Sequence, residues 1–167
     1  PQPAWHTVLD LDALARSENE NWVWHGADCL APEYRRCLVS LSRGGADATV
    51  QREFDLGTRA FMPGGFALMR EAKHFVTWRD ADTLWVGTDT GPGSMTNSGY
   101  PRTLRLWRRG TPLETAPVVF EGRPDDVAVN GESEGEASSR LDWVVRTIAY
   151  WNVERHLLPL TAVAASQ

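Results

Sequence analysis

The sequence predicts an all-β chain, a part of a β-propeller with four-stranded antiparallel blades, and three observations carry that prediction. Apolar bursts open at Trp22-Val23-Trp24, at Phe75-Val76-Thr77-Trp78 and at Asp126-Val127-Ala128-Val129. Their starts lie 53 residues (22 to 75) and 51 residues (75 to 126) apart, nearly an even repeat. Each burst is followed by further short alternating runs separated by turn residues, and a repeat of this length made of several strands is the signature of a blade. Closing a ring takes about four to eight blades. The 167 residues are therefore expected to be a fragment of a longer protein. A lead-in connector covers 1–20, and about two and a half to three blades follow, at roughly 21–70, 71–124 and, incomplete, 125–167.

Taken in order, Val8 to Leu14 reads as connector with a turn of helix. Trp22 to Leu30 is a strand by its aromatic alternation, broken at Ala31-Pro32-Glu33. Tyr34 to Ser42 is a second strand, with Cys37, Val39 and Leu41 on one face and Arg36, Leu38 and Ser40 on the other. Arg43-Gly44-Gly45-Ala46-Asp47 is a turn by composition, and Thr49 to Asp55 a third strand. Phe61 to Leu68 contains Pro63-Gly64-Gly65 and reads as a loop or weak outer strand.

In the second repeat, Phe75 to Arg79 and Thr83 to Thr88 flank Asp80-Ala81-Asp82, a hairpin signal. A long loop runs from Asp89 to Gly99, Tyr100 to Arg109 is a strand, and Val118 to Glu121 closes the unit. The third repeat opens at Val127 and resumes at Leu141. There Leu141, Val144, Val145, Ile148 and Trp151 fall at helical spacing, and Ser139 followed by Asp142 mimics a capping box. The β-branched and aromatic cluster from Trp143 to Trp151 argues for a strand instead. Strand is the reading the repeat requires. Of the eight tryptophans, Trp22, Trp24, Trp78 and Trp85 sit in strands and are expected to wedge between sheets rather than line a binding wall.

Composition narrows the function. Net charge is −5, with acid gathered late in the chain at Asp125, Asp126, Glu132, Glu134 and Glu136. Phosphate binding needs accumulated Lys and Arg, so nucleic acid is not an expected partner. Arg102, Arg105, Arg108 and Arg109 around Trp107 form a local exception, read as one solvated face of a strand. No apolar run reaches membrane-spanning length, so no membrane partner is expected. Cys29 and Cys37 are too few for a disulfide framework and are expected to be a reduced pair in a cytoplasmic protein, a periplasmic one being the alternative. His25 with these cysteines lacks tight ligand spacing, so neither a metal nor another cofactor is expected. Asp125-Asp126 reads as a solvated turn.

No catalytic residue is expected either. Gly131-Glu132-Ser133-Glu134-Gly135 fits the hydrolase elbow formula, but three glutamates crowd the place where an oxyanion must be stabilised. Asp142 and His156 follow in hydrolase order, yet the 23 residues from 133 to 156 cannot hold the βα units of about 30 residues each that a hydrolase core needs. Gly91-Pro92-Gly93 is no phosphate cradle, since Pro92 has no N–H to offer. His6, His25, His74 and His156 are scattered.

Longer strings carry a likeness. Trp22-Val-Trp-His-Gly-Ala27, Cys29-Leu-Ala-Pro-Glu-Tyr-Arg-Arg-Cys-Leu-Val-Ser-Leu-Ser42, Gly87-Thr-Asp-Thr-Gly-Pro-Gly-Ser94, Ser98-Gly-Tyr-Pro-Arg102 and Trp107-Arg-Arg-Gly-Thr-Pro112 resemble the propeller of bacterial prolyl oligopeptidases, with Trp5 to Leu14 as the lead-in. The resemblance implies a seven-bladed propeller joined to an α/β-hydrolase domain that cleaves short peptides after proline with a Ser-Asp-His triad. No position here matches the triad motifs, so the implied partners are the catalytic domain of the same protein and short proline-containing peptides. It also implies a filtering role: loops between the second and third strands of each blade, here Arg43 to Asp47 and Asp89 to Gly99, face the hydrolase domain. The longer loop is the candidate gate, through Asp89, Gly91, Gly93, Ser94, Asn97 and Tyr100, and its glycines and serines favour mobility. The rival readings are a stand-alone peptide- or protein-binding module and, remotely, a small hydrolase using Ser133. Open sheet edges predict self-association of the isolated chain.

Overall fold

The computed structural model describes residues 3–135 and 138–159. Glu136 and the run from 160 to the C-terminus lie outside the described residues. The described residues are all-β apart from one helix and one helical turn, and the chain divides into two compact units, Pro1–Glu71 and Ala72–Gln167.

The first unit opens on helix α1 (Leu11–Glu18), longer than the single turn expected. Asp10 caps it by accepting a hydrogen bond from the Ala13 amide at 2.9 Å, and Asn19 ends it in a left-handed conformation. Leu11, Leu14 and Ala15, on one helical face, pack against a core of Trp22, Val39, Leu41, Val50 and Phe54. That core belongs to a sheet in the order β1 (Trp22–Cys29), β2 (Arg36–Arg43), β3 (Thr49–Asp55), β4 (Ala60–Phe61), with β5 (Ala67–Ala72) also pairing β3.

This sheet has five strands, not the expected four, because Pro63-Gly64-Gly65 divides the outer strand in two. The buried Glu53 carboxylate lies under that turn and accepts a hydrogen bond from the Phe66 amide at 2.9 Å. A Cβ on Gly65 would sit 2.9 Å from Met62 Cβ and 3.0 Å from Glu53 Oε2, so only glycine lets the turn close over the acid.

Two further expectations fail in this unit. Cys29 and Cys37 face each other across the β1–β2 register and are joined as a disulfide, where a reduced pair was expected. Sequence spacing could not reveal this, because the register decides whether two cysteines meet. Thiol titration should find no free cysteine without a reductant, and Cys37→Ser should cost about 2–3 kcal/mol, the loop-entropy range for so short a bridge. Trp24 is 47% exposed rather than wedged, while Trp22, two residues before it, is buried in the core.

Among the described residues, the second unit holds two antiparallel meanders. One is β6 (Phe75–Asp80), β7 (Thr83–Gly87), β8 (Thr103–Arg108) and β9 (Val118–Glu121). The other is β10 (Ala128–Glu134), β11 (Leu141–Ala149) and β12 (Asn152–Leu157). Residues 141–149 are strand, so the β-branched cluster outweighs the helical spacing, but Tyr150 and Trp151 form a turn rather than continuing it.

The sheets pack face to face through Trp85, Leu104 and Leu106 on one side and Val129 and Val144 on the other. Gly131 brings the β10 backbone onto the Trp85 ring, where a Cβ would lie 2.6 Å from Cγ. Gly87 does the same against Pro101, at 2.6 Å from its Cβ. Thr77 Oγ1 donates to the Gly131 carbonyl at 2.7 Å and ties the sheets by a hydrogen bond as well. Trp78 and Trp85 are buried, as expected of wedges between sheets.

Candidate functional site

Strand direction gathers three connections at one end of the second unit. β7 ends at Gly87, beside the Val129 carbonyl near the start of β10. Val129 pairs with Arg146 of β11, three residues before that strand ends at Ala149. The loop 88–102, the crossover 122–127 and the turn 150–151 therefore leave the same end.

The loop is where the expected gate residues fall, and its conformation is well determined by its own bonds. Asp89 Oδ1 accepts from the Gly91 amide at 2.9 Å. Buried Ser94 donates its hydroxyl to the Gly91 carbonyl at 2.7 Å and accepts from the Thr90 amide at 3.0 Å. Gly91 and Gly93 have φ of 116° and 81°, which only glycine adopts without strain. The Gly93 carbonyl accepts from Arg102 Nε at 2.6 Å.

Further along, the loop is bolted to the crossover. The Asn97 amide donates to the Pro124 carbonyl at 2.7 Å, and Thr96 Oγ1 donates to the Val127 carbonyl at 3.0 Å. Tyr100 stacks on Phe75 at 5.9 Å, and Lys73 Nζ lies over its ring at 4.6 Å. Glycine content suggested mobility. The bonding instead holds the loop as a formed rim, with Pro92, Gly93, Asn97, Ser98 and Gly99 exposed.

The crossover is anchored electrostatically. Asp126, expected on a solvated turn, is only 2% exposed. It accepts two hydrogen bonds from Arg146, Nε to Oδ2 and Nη2 to Oδ1, each 2.8 Å, and one from the Arg123 amide. Arg146 also reaches Glu154 at 3.2 Å. The bidentate guanidinium holds the Asp126 carboxyl below the ordinary carboxylate range, against the opposing effect of burial, and raises Arg146 in turn.

Ser133 sits inside strand β10, not on a strained turn. Its Oγ accepts from Trp85 Nε1 at 2.7 Å and donates to Asp142 Oδ1 at 2.6 Å, while Arg79 Nε donates to Asp142 Oδ2 at 3.0 Å. His156 hydrogen-bonds Glu154 and stacks on Phe120 instead of reaching the serine. The hydroxyl thus completes a structural chain from Trp85 to Arg79. Ser133→Ala should cost about 1–3 kcal/mol by stranding Trp85 Nε1 and one oxygen of Asp142, whose other oxygen keeps Arg79, and amide exchange in β10 reads the loss.

Elsewhere the basic residues around Trp107 are largely engaged within the fold. Arg102 pairs with Glu121 at 2.7 Å, Arg105 donates to the Ala116 carbonyl, and Arg109 holds the Ala81 carbonyl and Asp82. Among the described residues no cluster of His, Cys, Asp and Glu could hold a metal, and no helix is long and apolar enough to cross a membrane. The Arg43 to Asp47 turn, in the first unit, is fixed at its start by Arg43, which pairs with Glu20 at 2.9 Å and Glu71 at 3.3 Å.

Comparison with known proteins accords with this geometry. The sequence model of the prolyl oligopeptidase N-terminal β-propeller domain matches residues 2–149. The chain is 38% identical over 159 residues to a protein of Sinorhizobium fredii named an uncharacterized peptidase, covering 94% of this chain and 22% of that protein. A second protein so named, from Rickettsia prowazekii, is 26% identical over 166 residues, covering 94% and 23%. Among solved structures, a post-proline cleaving enzyme from Rickettsia typhi superposes with a TM-score of 0.76 at 23% identity, over 95% of this chain and 26% of that one. Oligopeptidase B from Leishmania major gives 0.62 at 12% identity, over 92% and 20%. The chain thus spans about a quarter or less of the curated relatives it matches.

Proposed function

The chain belongs to the prolyl oligopeptidase family, as part of its N-terminal β-propeller domain, and from that premise we propose that it filters substrate for a serine peptidase cleaving short peptides after proline. The bond-breaking groups, in this reading, belong to an α/β-hydrolase domain of the same protein outside these residues. The observation that carries it is the match of the propeller domain over residues 2–149 in a chain whose hydrolase-like serine is committed to structure. The rim of Asp89, Gly91, Gly93, Ser94, Asn97 and Tyr100 supports the filtering part, because a fixed edge excludes bulky chains without having to close over each substrate.

The Cys29–Cys37 disulfide supports a periplasmic location over a cytoplasmic one, since such bonds persist in oxidising compartments.

Peptide-length dependence in the full-length protein tests the reading. Short proline peptides should be cleaved and long ones resisted. Replacing residues 90–99 by a short glycine-serine link should raise cleavage of long peptides about tenfold or more while short ones change little. Binding of peptides without cleavage of any would favour the stand-alone binding module.

A further inference from the structure

We propose that Tyr150 and Trp151 are the anchor by which this propeller portion docks against the catalytic domain of the same protein. The two rings are 82% and 91% exposed, at the tip of the β11–β12 hairpin. They touch each other edge to face, with centroids 4.6 Å apart and planes at 88°. Large aromatics presented to solvent in this way mark an interaction surface, and Trp and Tyr are the residues that most often carry interface energy.

Position selects the occupant. The last strand pair of the hairpin is Ala149 with Asn152, so both rings project beyond the end of the sheet. A further blade stacks on sheet faces, as β6–β9 and β10–β12 do through Trp85 and Val129, and leaves such a tip uncovered. What covers it must lie across the sheet ends. The tip shares its end with the loop 88–102 and the crossover 122–127, and the filtering reading turns that end toward the catalytic domain. The relatives are peptidases of which this chain covers 22% and 23%, so most of such a protein lies outside these residues and is available to supply the partner. A substrate peptide would cover the rings only in passing, whereas a domain of the same chain covers them permanently. The proposal rests on the reading of the chain as a peptidase propeller.

The test uses the full-length protein with Trp151 replaced by p-benzoylphenylalanine. Irradiation should give chiefly an intramolecular cross-link that maps to the catalytic domain. Cross-links to another blade, to a second copy or to an added proline peptide, or none at all, would overturn the anchor. In parallel, Tyr150→Ser with Trp151→Ser should weaken docking and raise the ratio of long- to short-peptide cleavage about tenfold, with short-peptide cleavage retained. An unchanged ratio in an active enzyme would overturn the anchor alone. A full-length protein with no hydrolase domain, or no cleavage of any peptide, would overturn both the anchor and the peptidase reading.

Discussion

Gly131→Ala is expected to destabilise the second unit by about 2–3 kcal/mol, although it adds a single methyl group. The methyl carbon would lie 2.6 Å from Trp85 Cγ, 2.7 Å from its Cβ and 3.0 Å from its Cδ2. Trp85 is fully buried, and its Nε1 is held by Ser133, so the ring has nowhere to withdraw. The two sheets must part instead, which loosens the contacts of Leu104, Leu106, Val129 and Val144 together. Trp85→Ala removes the wedge itself and should cost about 3–5 kcal/mol. Combining the two should cost clearly less than their sum, because the cavity left by the indole accepts the methyl. Amide exchange across β7 and β10 reads these differences locally. Strict additivity would mean that the glycine is not there to admit the ring.

Asp126→Ala is the second large effect, about 3 kcal/mol, the lower end of the cost of breaking a buried ion pair. Two features set that size. Asp126 takes three hydrogen bonds that vanish together, from both Arg146 nitrogens and the Arg123 amide. Arg146 keeps Glu154 as a partner, so it is not left wholly without a counter-charge.

The same pair sets an acid limit. Its carboxyl is held below its unfolded value, so the stabilisation is complete above about pH 4 and is lost as pH falls through the lower folded value. Asp126→Asn should flatten the acid limb of the stability curve for β10 and β11. Retention of wild-type acid sensitivity in that variant would shift the effect to another carboxylate. Because the crossover holds Asn97 and Thr96, the loss should also free the loop 88–102.

What the sequence revealed and concealed follows from the range of the interactions. Thr49–Asp55 and Val118–Glu121 stand where alternation and flanking turn residues put them, because both signals are local. The fifth strand of the first sheet was hidden: Ala67–Ala72 follows Pro63-Gly64-Gly65, and only the buried Glu53, ten or more residues earlier, explains how that turn is held. Asp126 looked solvated because its partner is 20 residues away, and Trp24 looked buried because period-two alternation cannot show where covering side chains stop. The disulfide depended on register in the same way. At the rim, the residue types were legible as a loop, but the bonds from Thr96 and Asn97 to the crossover were not. Tyr150 and Trp151 read as strand because aromatic residues favour strands, and nothing local marks the turn that exposes them.

Fluorophosphonate labelling of the full-length protein, followed by peptide mapping, tests most directly whether this chain is the non-catalytic portion of a serine peptidase. The label should appear on one serine outside residues 1–167, with Ser133 unmodified and still bonded to Trp85 and Asp142. A labelled Ser133 would contradict the account, since it would place the nucleophile in the propeller strand itself.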